Sequence, residues 1–149
     1  MARITISIDI AAPREQVWRE AADLASHAEW MADAESIEFE TDQRTGVGTR
    51  MQVATRVGPF RTRDVMEVVE WSEGFCIGVR HQGLVTGEGS FVLTDLLEGT
   101  RFTWSEKLEF PWYVGGPAAA FAASPVLRWI WRRNLRGLRD RIESPTDPR

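Results

Sequence analysis

The sequence predicts an α+β domain: an antiparallel sheet of six to seven strands, two short helices after the first strand, and a long C-terminal helix. Three observations carry this expectation. Apolar and polar residues alternate over the first ten positions, the same alternation runs from about residue 35 to about residue 110, and a helical spacing of apolar residues with an arginine-rich opposite face follows.

In "RITISIDI", Ile4, Ile6, Ile8 and Ile10 share one face and Thr5, Ser7 and Asp9 the other, the pattern of a half-buried strand. Pro13 suits the first turn of a helix, Glu15 favours its positive end, and Glu15 and Arg19 form a supportive pair four residues apart. Val17, Ala21 and Leu24, with Trp18, give this helix its apolar stripe, and it should end near Ser26. "HAEWMADAE" reads as a second short helix or turn carrying Trp30 and Met31.

Strands then follow in series. Ile37 and Phe39 mark one; "RTGVG" is a turn; Met51, Val53, Thr55 and Val57 mark the next; Gly58 and Pro59 turn the chain again. The following strand has two phases, Phe60, Met66 and Val68 against Val65, Val69 and Trp71, and the first is taken as inward. Phe75, Ile77 and Val79 should face inward, then Phe91 and Leu93, then Phe102, Trp104 and Leu108, with "LLEGT" as the last hairpin turn. Beyond Pro111, Ser124 and Pro125 read as an N-cap and first helical position, so the long helix should begin or bend there. Leu127, Trp131, Leu135, Leu138 and Ile142 form its stripe, with Arg128, Arg132, Arg136 and Arg139 opposite. One domain over 1–143 and a frayed tail over 144–149 are expected.

Composition narrows the functions. With 149 residues, 43% of them hydrophobic, the chain can bury one sizeable core and has no room for a second domain. A net charge of −4 offers no field for a polyphosphate chain, so nucleic acid is not expected as a partner. The N-terminal segment alternates where a signal peptide would be uniformly apolar, and a single cysteine, Cys76, cannot form an internal disulfide; a cytoplasmic location is expected. Seventeen of the eighteen basic residues are arginine, which suggests a GC-rich bacterial source. Two histidines and one cysteine, far apart, make no metal site, and no nucleotide loop or nucleophile elbow occurs, so neither metal nor cofactor is expected. The run from Val114 to Leu127 is only 14 residues and contains Gly115, Gly116, Pro117 and Pro125, too short and too broken to span a bilayer. Residues 126–143 nevertheless hold six arginines against Asp140 and Glu143, with Trp129 and Trp131 alongside, so weak peripheral membrane contact stays open. Monomer and homodimer both stay open.

"ISIDIAAPREQVWREAADLASHAEWM", "GVGTRM" and "GSFVLTDLLEGTRFTW" resemble the opening strand and helices, the third strand and the last hairpin of the polyketide cyclase/dehydrase (SRPBCC) group of the START-like superfamily. The resemblance covers about residues 3–143 and implies the helix-grip fold, a curved sheet gripping the C-terminal helix around a mostly apolar cavity for small hydrophobic molecules. Leu127, Trp131, Leu135 and Leu138 would then face the sheet. Members of this superfamily include carriers, receptors, aromatases and cyclases, so ligand binding, cofactor-independent acid–base catalysis and a surface-interaction role all stay open.

With the alternation setting the inward face, Met51, Val53, Met66 and Trp131 should line such a cavity, and Trp30, Phe91, Trp104, Tyr113 and Phe121 should surround it or its mouth. The glycines of "EFPWYVGGP" would let that mouth open. Polar residues in the inward phase are Thr55, Thr62, Asp64, His81 and Glu106. Glu106 lies in phase with Trp104 and Leu108, where partial desolvation suits an acid that holds and donates a proton. A hairpin centred between Ser72 and Glu73 would set Asp64 opposite His81, a carboxylate–imidazole dyad suited to proton transfer. A one-residue slip or a bulge would instead turn Asp64 to solvent and leave His81 a structural residue.

Overall fold

The structure, a computed structural model, describes residues 2–144, so most of the expected frayed tail lies outside the described residues. The elements in chain order are β1 (Ala2–Ile10), α1 (Arg14–Ala22), α2 (His27–Trp30), β2 (Ala34–Phe39), β3 (Arg50–Val57), β4 (Phe60–Ser72), β5 (Cys76–Gln82), β6 (Thr86–Leu96), β7 (Gly99–Glu109) and α3 (Gly116–Glu143). One antiparallel sheet of seven strands has the order β1-β7-β6-β5-β4-β3-β2. Strands β2 to β7 form a meander in which each strand pairs with the next, and α1 and α2 carry the chain from the β1 edge to the β2 edge.

The sheet curves around α3, as the helix-grip expectation requires. Ile4, Ile6 and Ile10 of β1, Val68 of β4, Ile77 of β5 and Phe102 of β7 are fully or almost fully buried on its inner face. Leu135, Leu138 and Ile142 of α3 close over β1 and β7, so the C-terminal half of the helix is core. Removing this apolar surface from water is the main stabilising term.

Three local expectations are corrected. Helix α3 neither starts nor caps at Ser124: it begins at Gly116 after Gly115, whose φ of 107° ends the preceding turn, and it runs through Pro125 to Glu143. The alanine-rich stretch 118–123 favours helix, Pro117 sits in the first turn, and the Ser124 hydroxyl donates back to the Ala120 carbonyl at 2.8 Å. In β4 both phases occur. A bulge at Val69, between the Val68–Val79 and Glu70–Gly78 pairs, shifts the register, so Val68 and then Trp71 face inward. Phe75 and Phe60 do not enter the core: Phe75 lies in the β4–β5 turn under the Arg14 guanidinium at 3.9 Å, and Phe60 opens β4 at 74% exposure.

Candidate functional site

A cavity of about 550 Å³ separates the N-terminal half of α3 from the sheet. It exists because the two halves of the helix pack differently. The C-terminal half is pinned: Asn134 donates to Asp33 Oδ1 at 2.7 Å and accepts from the Ala32 N–H at 2.9 Å, while Trp131 Nε1 donates to Asp33 Oδ2 at 3.3 Å. The N-terminal half presents only small or medium side chains, Ala119, Ala123, Val126 and Leu127, which do not fill the space beneath them. A second depression, of about 360 Å³, lies on the outer face of the sheet by Arg3, Glu70 and Lys107, away from this interior.

Most of the expected lining residues meet here. Met51, Val53, Met66, Phe91, Trp104 and Trp131 all face the cavity. Trp104 stacks on Trp131 with centroids 4.9 Å apart and meets Phe91 edge-on at 5.3 Å. Trp30 stands behind this layer, 6.4 Å from Trp104, with its indole N–H buried and unpartnered. Tyr113 and Phe121 are not lining residues: they are 65% and 82% exposed, Tyr113 in the turn before α3 and Phe121 on the helix surface turned away from the cavity. Helical spacing accounts for Phe121, since Ala119 and Ala123 occupy the inward face of that turn.

Asp64, His81 and Glu106 also share the cavity, but not in the expected pairing. The β4–β5 turn is centred on Gly74, about one and a half residues later than expected, and the Val69 bulge takes back only part of that shift, so Met66 and not Asp64 is the partner of His81. Asp64 is a diagonal neighbour, opposite Val53 on β3. His81 pairs instead with Glu106: its Nε2–H donates to Glu106 Oε2 at 2.8 Å. The other Glu106 oxygen accepts from Trp104 Nε1 at 3.0 Å.

This pair joins β5 to β7 across an intervening strand, a span of roughly 9–10 Å between backbones. Two glycines of β6 make it possible. His81 lies opposite Gly87, and Glu106 lies opposite Gly89, so no β6 side chain stands between them. A Cβ at Gly89 would overlap the Glu106 carboxylate. Strand phase placed His81 and Glu106 on the inner face, but only the glycine spacing in "TGEGS" signalled that residues two strands apart could touch.

The electrostatics follow from this geometry. Burial pulls the His81 pKa down, but the Glu106 hydrogen bond and the charges of Glu106 and Asp64 outweigh it and hold the imidazole above its usual value. Burial raises the Asp64 pKa, and the Thr62 hydrogen bond, the His81 charge and the Leu84 N–H oppose it only in part. Thr62 donates to Asp64 Oδ2 at 3.2 Å; the Leu84 N–H acts on the carboxylate but falls short of a hydrogen bond, so Oδ1 is buried and unpartnered. A side chain at Gly83 would collide with that oxygen. His27, also lining the cavity, donates Nε2–H to the Ala21 carbonyl at 2.8 Å, and complete burial lowers its pKa to about 4. It is therefore neutral near pH 7.

A curved seven-stranded antiparallel sheet, a gripped C-terminal helix and an apolar cavity open at one mouth define a helix-grip protein of the START-like class. The chain belongs to the polyketide cyclase / dehydrase and lipid transport family, whose model matches residues 1–143. Among solved structures it is similar to TTHA0849 from Thermus thermophilus, with 22% identity, a TM-score of 0.84, and coverage of 98% of this chain and 100% of that one. It is also similar to a START superfamily protein from Mycobacterium smegmatis (17% identity, TM-score 0.75, coverage 95% and 97%). The Zhui aromatase/cyclase from Streptomyces sp. R1128 shares 16% identity at a TM-score of 0.72, with coverage of 99% and 96%. At these identities the likeness is one of fold. No curated protein matches the sequence.

Proposed function

We propose that the protein binds a small hydrophobic or aromatic molecule between its sheet and the N-terminal half of α3. The observation that carries this is the cavity of about 550 Å³, apolar and aromatic over most of its wall, with one polar cluster of Asp64, His81 and Glu106. A concave apolar site with a few convergent polar groups is what ligand burial requires. The same cluster supports a runner-up: cofactor-independent acid–base chemistry in the manner of a cyclase, aromatase or dehydratase, with His81 moving the proton and Glu106 holding its ring. Saturable, one-to-one uptake of an apolar fluorophore is the experiment that tests the binding reading.

A second reading concerns the outside of the mouth. Of the twelve large apolar side chains exposed among the described residues, eight belong to the segments that frame it, including Phe60, Leu84, Trp112, Tyr113, Phe121 and Trp129. No acidic residue occurs from 110 to 139, and the ion pairs of α3 use Arg139 and Arg141, leaving Arg128, Arg132, Arg133 and Arg136 unpaired among the described residues. No helix of the described residues is long and apolar enough to cross a membrane. An aromatic rim beside unpaired arginines fits the surface of an anionic bilayer, where the cavity would exchange its ligand. Co-sedimentation should show binding to vesicles of phosphatidylglycerol and phosphatidylcholine, weakened by about 0.5 M salt, against phosphatidylcholine alone. Equal recovery with both vesicle types, or none with either, contradicts it.

A further inference from the structure

We infer that Nδ1 of His81 is where the cavity meets the polar end of its ligand, and that the group it selects is a neutral acceptor oxygen, the carbonyl of a ketone or an aldehyde. This rests on the cavity-binding reading and specifies the chemistry of the ligand's polar end.

Most other polar atoms of the interior are taken or closed off. Both Asp33 oxygens accept from α3 side chains, and both Glu106 oxygens accept from Trp104 and His81. Asp64 spends Oδ2 on the Thr62 hydroxyl, and its Oδ1 is sealed against the Gly83–Leu84 backbone. His27 gives its one proton to the Ala21 carbonyl, which leaves a nitrogen that can only accept. Thr55 is uncharged and only partly buried, opposite Thr62 toward the turn at Gly58. His81 differs from all of these. It lines the cavity, Glu106 uses only its Nε2, and its side chain keeps 10% of its surface accessible. No protein group bonds to Nδ1, and among the described residues only Trp30 Nε1 and Asp64 Oδ1 are both unpartnered and sealed. Nδ1 is therefore reachable, and the cavity is the space it opens on.

Proton bookkeeping decides which ligand group fits. With Nε2–H held by Glu106, protonated His81 carries a second N–H on Nδ1 that needs an acceptor. The charged groups facing the ring are Glu106 from β7 and Asp64 from β4, and both favour the imidazolium. Strand β6 offers only Gly87 and Gly89 there, and the α3 residues that roof the cavity, Ala119, Ala123, Val126 and Leu127, carry no charge. A carbonyl oxygen accepts from Nδ1–H and brings no proton of its own. An alcohol accepts equally well but buries an O–H without an acceptor, because both Glu106 oxygens already hold donors and Asp64 Oδ1 is sealed. A carboxylate would crowd a third negative charge around one imidazolium, and a hydrocarbon leaves the N–H unanswered. Loss of the Nδ1 proton reverses the ring's role. Neutral His81 keeps its remaining proton on Nε2 for Glu106, so Nδ1 then presents a lone pair that opposes a carbonyl. Carbonyl binding is thus linked to a proton on His81 and weakens as pH rises through the folded value.

The test is calorimetric titration of four probes with one ring system: 2-acetonaphthone, the secondary alcohol made by reducing it, 2-ethylnaphthalene and 2-naphthoate. At about pH 6 the ketone should bind at least about tenfold more tightly than each of the others, the size of one charge-assisted hydrogen bond. At about pH 9 its advantage over 2-ethylnaphthalene should shrink to within about threefold, while 2-ethylnaphthalene itself binds equally at both values. His81→Gln cannot titrate, so its ketone affinity should be the same at both pH values. The probe ranking and its pH dependence in the unsubstituted protein stand as a test even if that variant does not fold. Tightest binding by the alcohol or the carboxylate, equal binding of ketone and hydrocarbon, or a ketone advantage unchanged by pH overturns the inference and leaves cavity binding intact. Binding of none of the four overturns both.

Discussion

At the scale of single residues, the His81–Glu106 pair is the feature on which the interior turns. Its contribution has a definite sign: with burial lowering the His81 pKa and Glu106 raising it, Glu106→Gln removes the larger opposing influence. The His81 pKa should then fall from above its usual value to below it, read by NMR titration of the imidazole. An unchanged His81 titration contradicts the pairing. Because the raised pKa favours the folded state in acid, the pair's stabilisation is fully present below about pH 6.5 and is lost as pH rises through the folded value. Strand alternation sufficed to find Asp64, His81 and Glu106 separately, because period two assigns a face to each residue. It could not find their partners. Pairing depends on register, which the Val69 bulge altered, and on Gly87 and Gly89, whose missing side chains matter only once three strands are side by side.

At the scale of elements, the histidine of α2 behaves in the opposite way. His27 is buried between Ala21 and Phe91, 5.5 Å from the Phe91 ring, and its pKa lies at about 4 against 6.5 unperturbed. Its neutral form therefore contributes stability above about pH 6.5 that is lost as pH falls through about 4, roughly 3 kcal/mol in all. His27→Gln keeps an N–H for the Ala21 carbonyl but cannot take up the proton, so urea unfolding should show a smaller loss of stability between about pH 6.5 and 4 than in the unsubstituted protein. Parallel loss in both proteins contradicts this. The elements themselves were largely legible: the order of strands and helices and the apolar stripe of α3 follow from periodicity alone. The start of α3 was not, because the Ser124–Pro125 signal is local, whereas alanine propensity and the packing of the whole helix decide where it begins.

At the scale of the whole molecule, the long helix is a single rod with two duties. Its C-terminal half completes the core through Leu135, Leu138 and Ile142, and its N-terminal half roofs a space that the sheet does not fill. Overall acidity, with a net charge of −4, coexists with an arginine-rich helix surface, so long-range attraction is weak and any contact with an anionic surface is local to the mouth. The family and fold were readable from the sequence because they depend on patterns spread over the whole chain. The emptiness of the interior was not, since a cavity is a shortfall of volume summed over many side chains, and no single residue announces it.

That interior is the central claim, and uptake of N-phenyl-1-naphthylamine, a neutral apolar fluorophore, tests it most directly when compared with the double variant Ala119→Trp/Ala123→Trp. Both positions line the cavity from α3, so the variant sets two indoles in the space without touching the pinned half of the helix. Saturable one-to-one uptake by the unsubstituted protein, reduced at least about tenfold in a variant with unchanged circular dichroism, is the predicted result. Uptake that is equal in both proteins, or no saturable uptake by either, would contradict it.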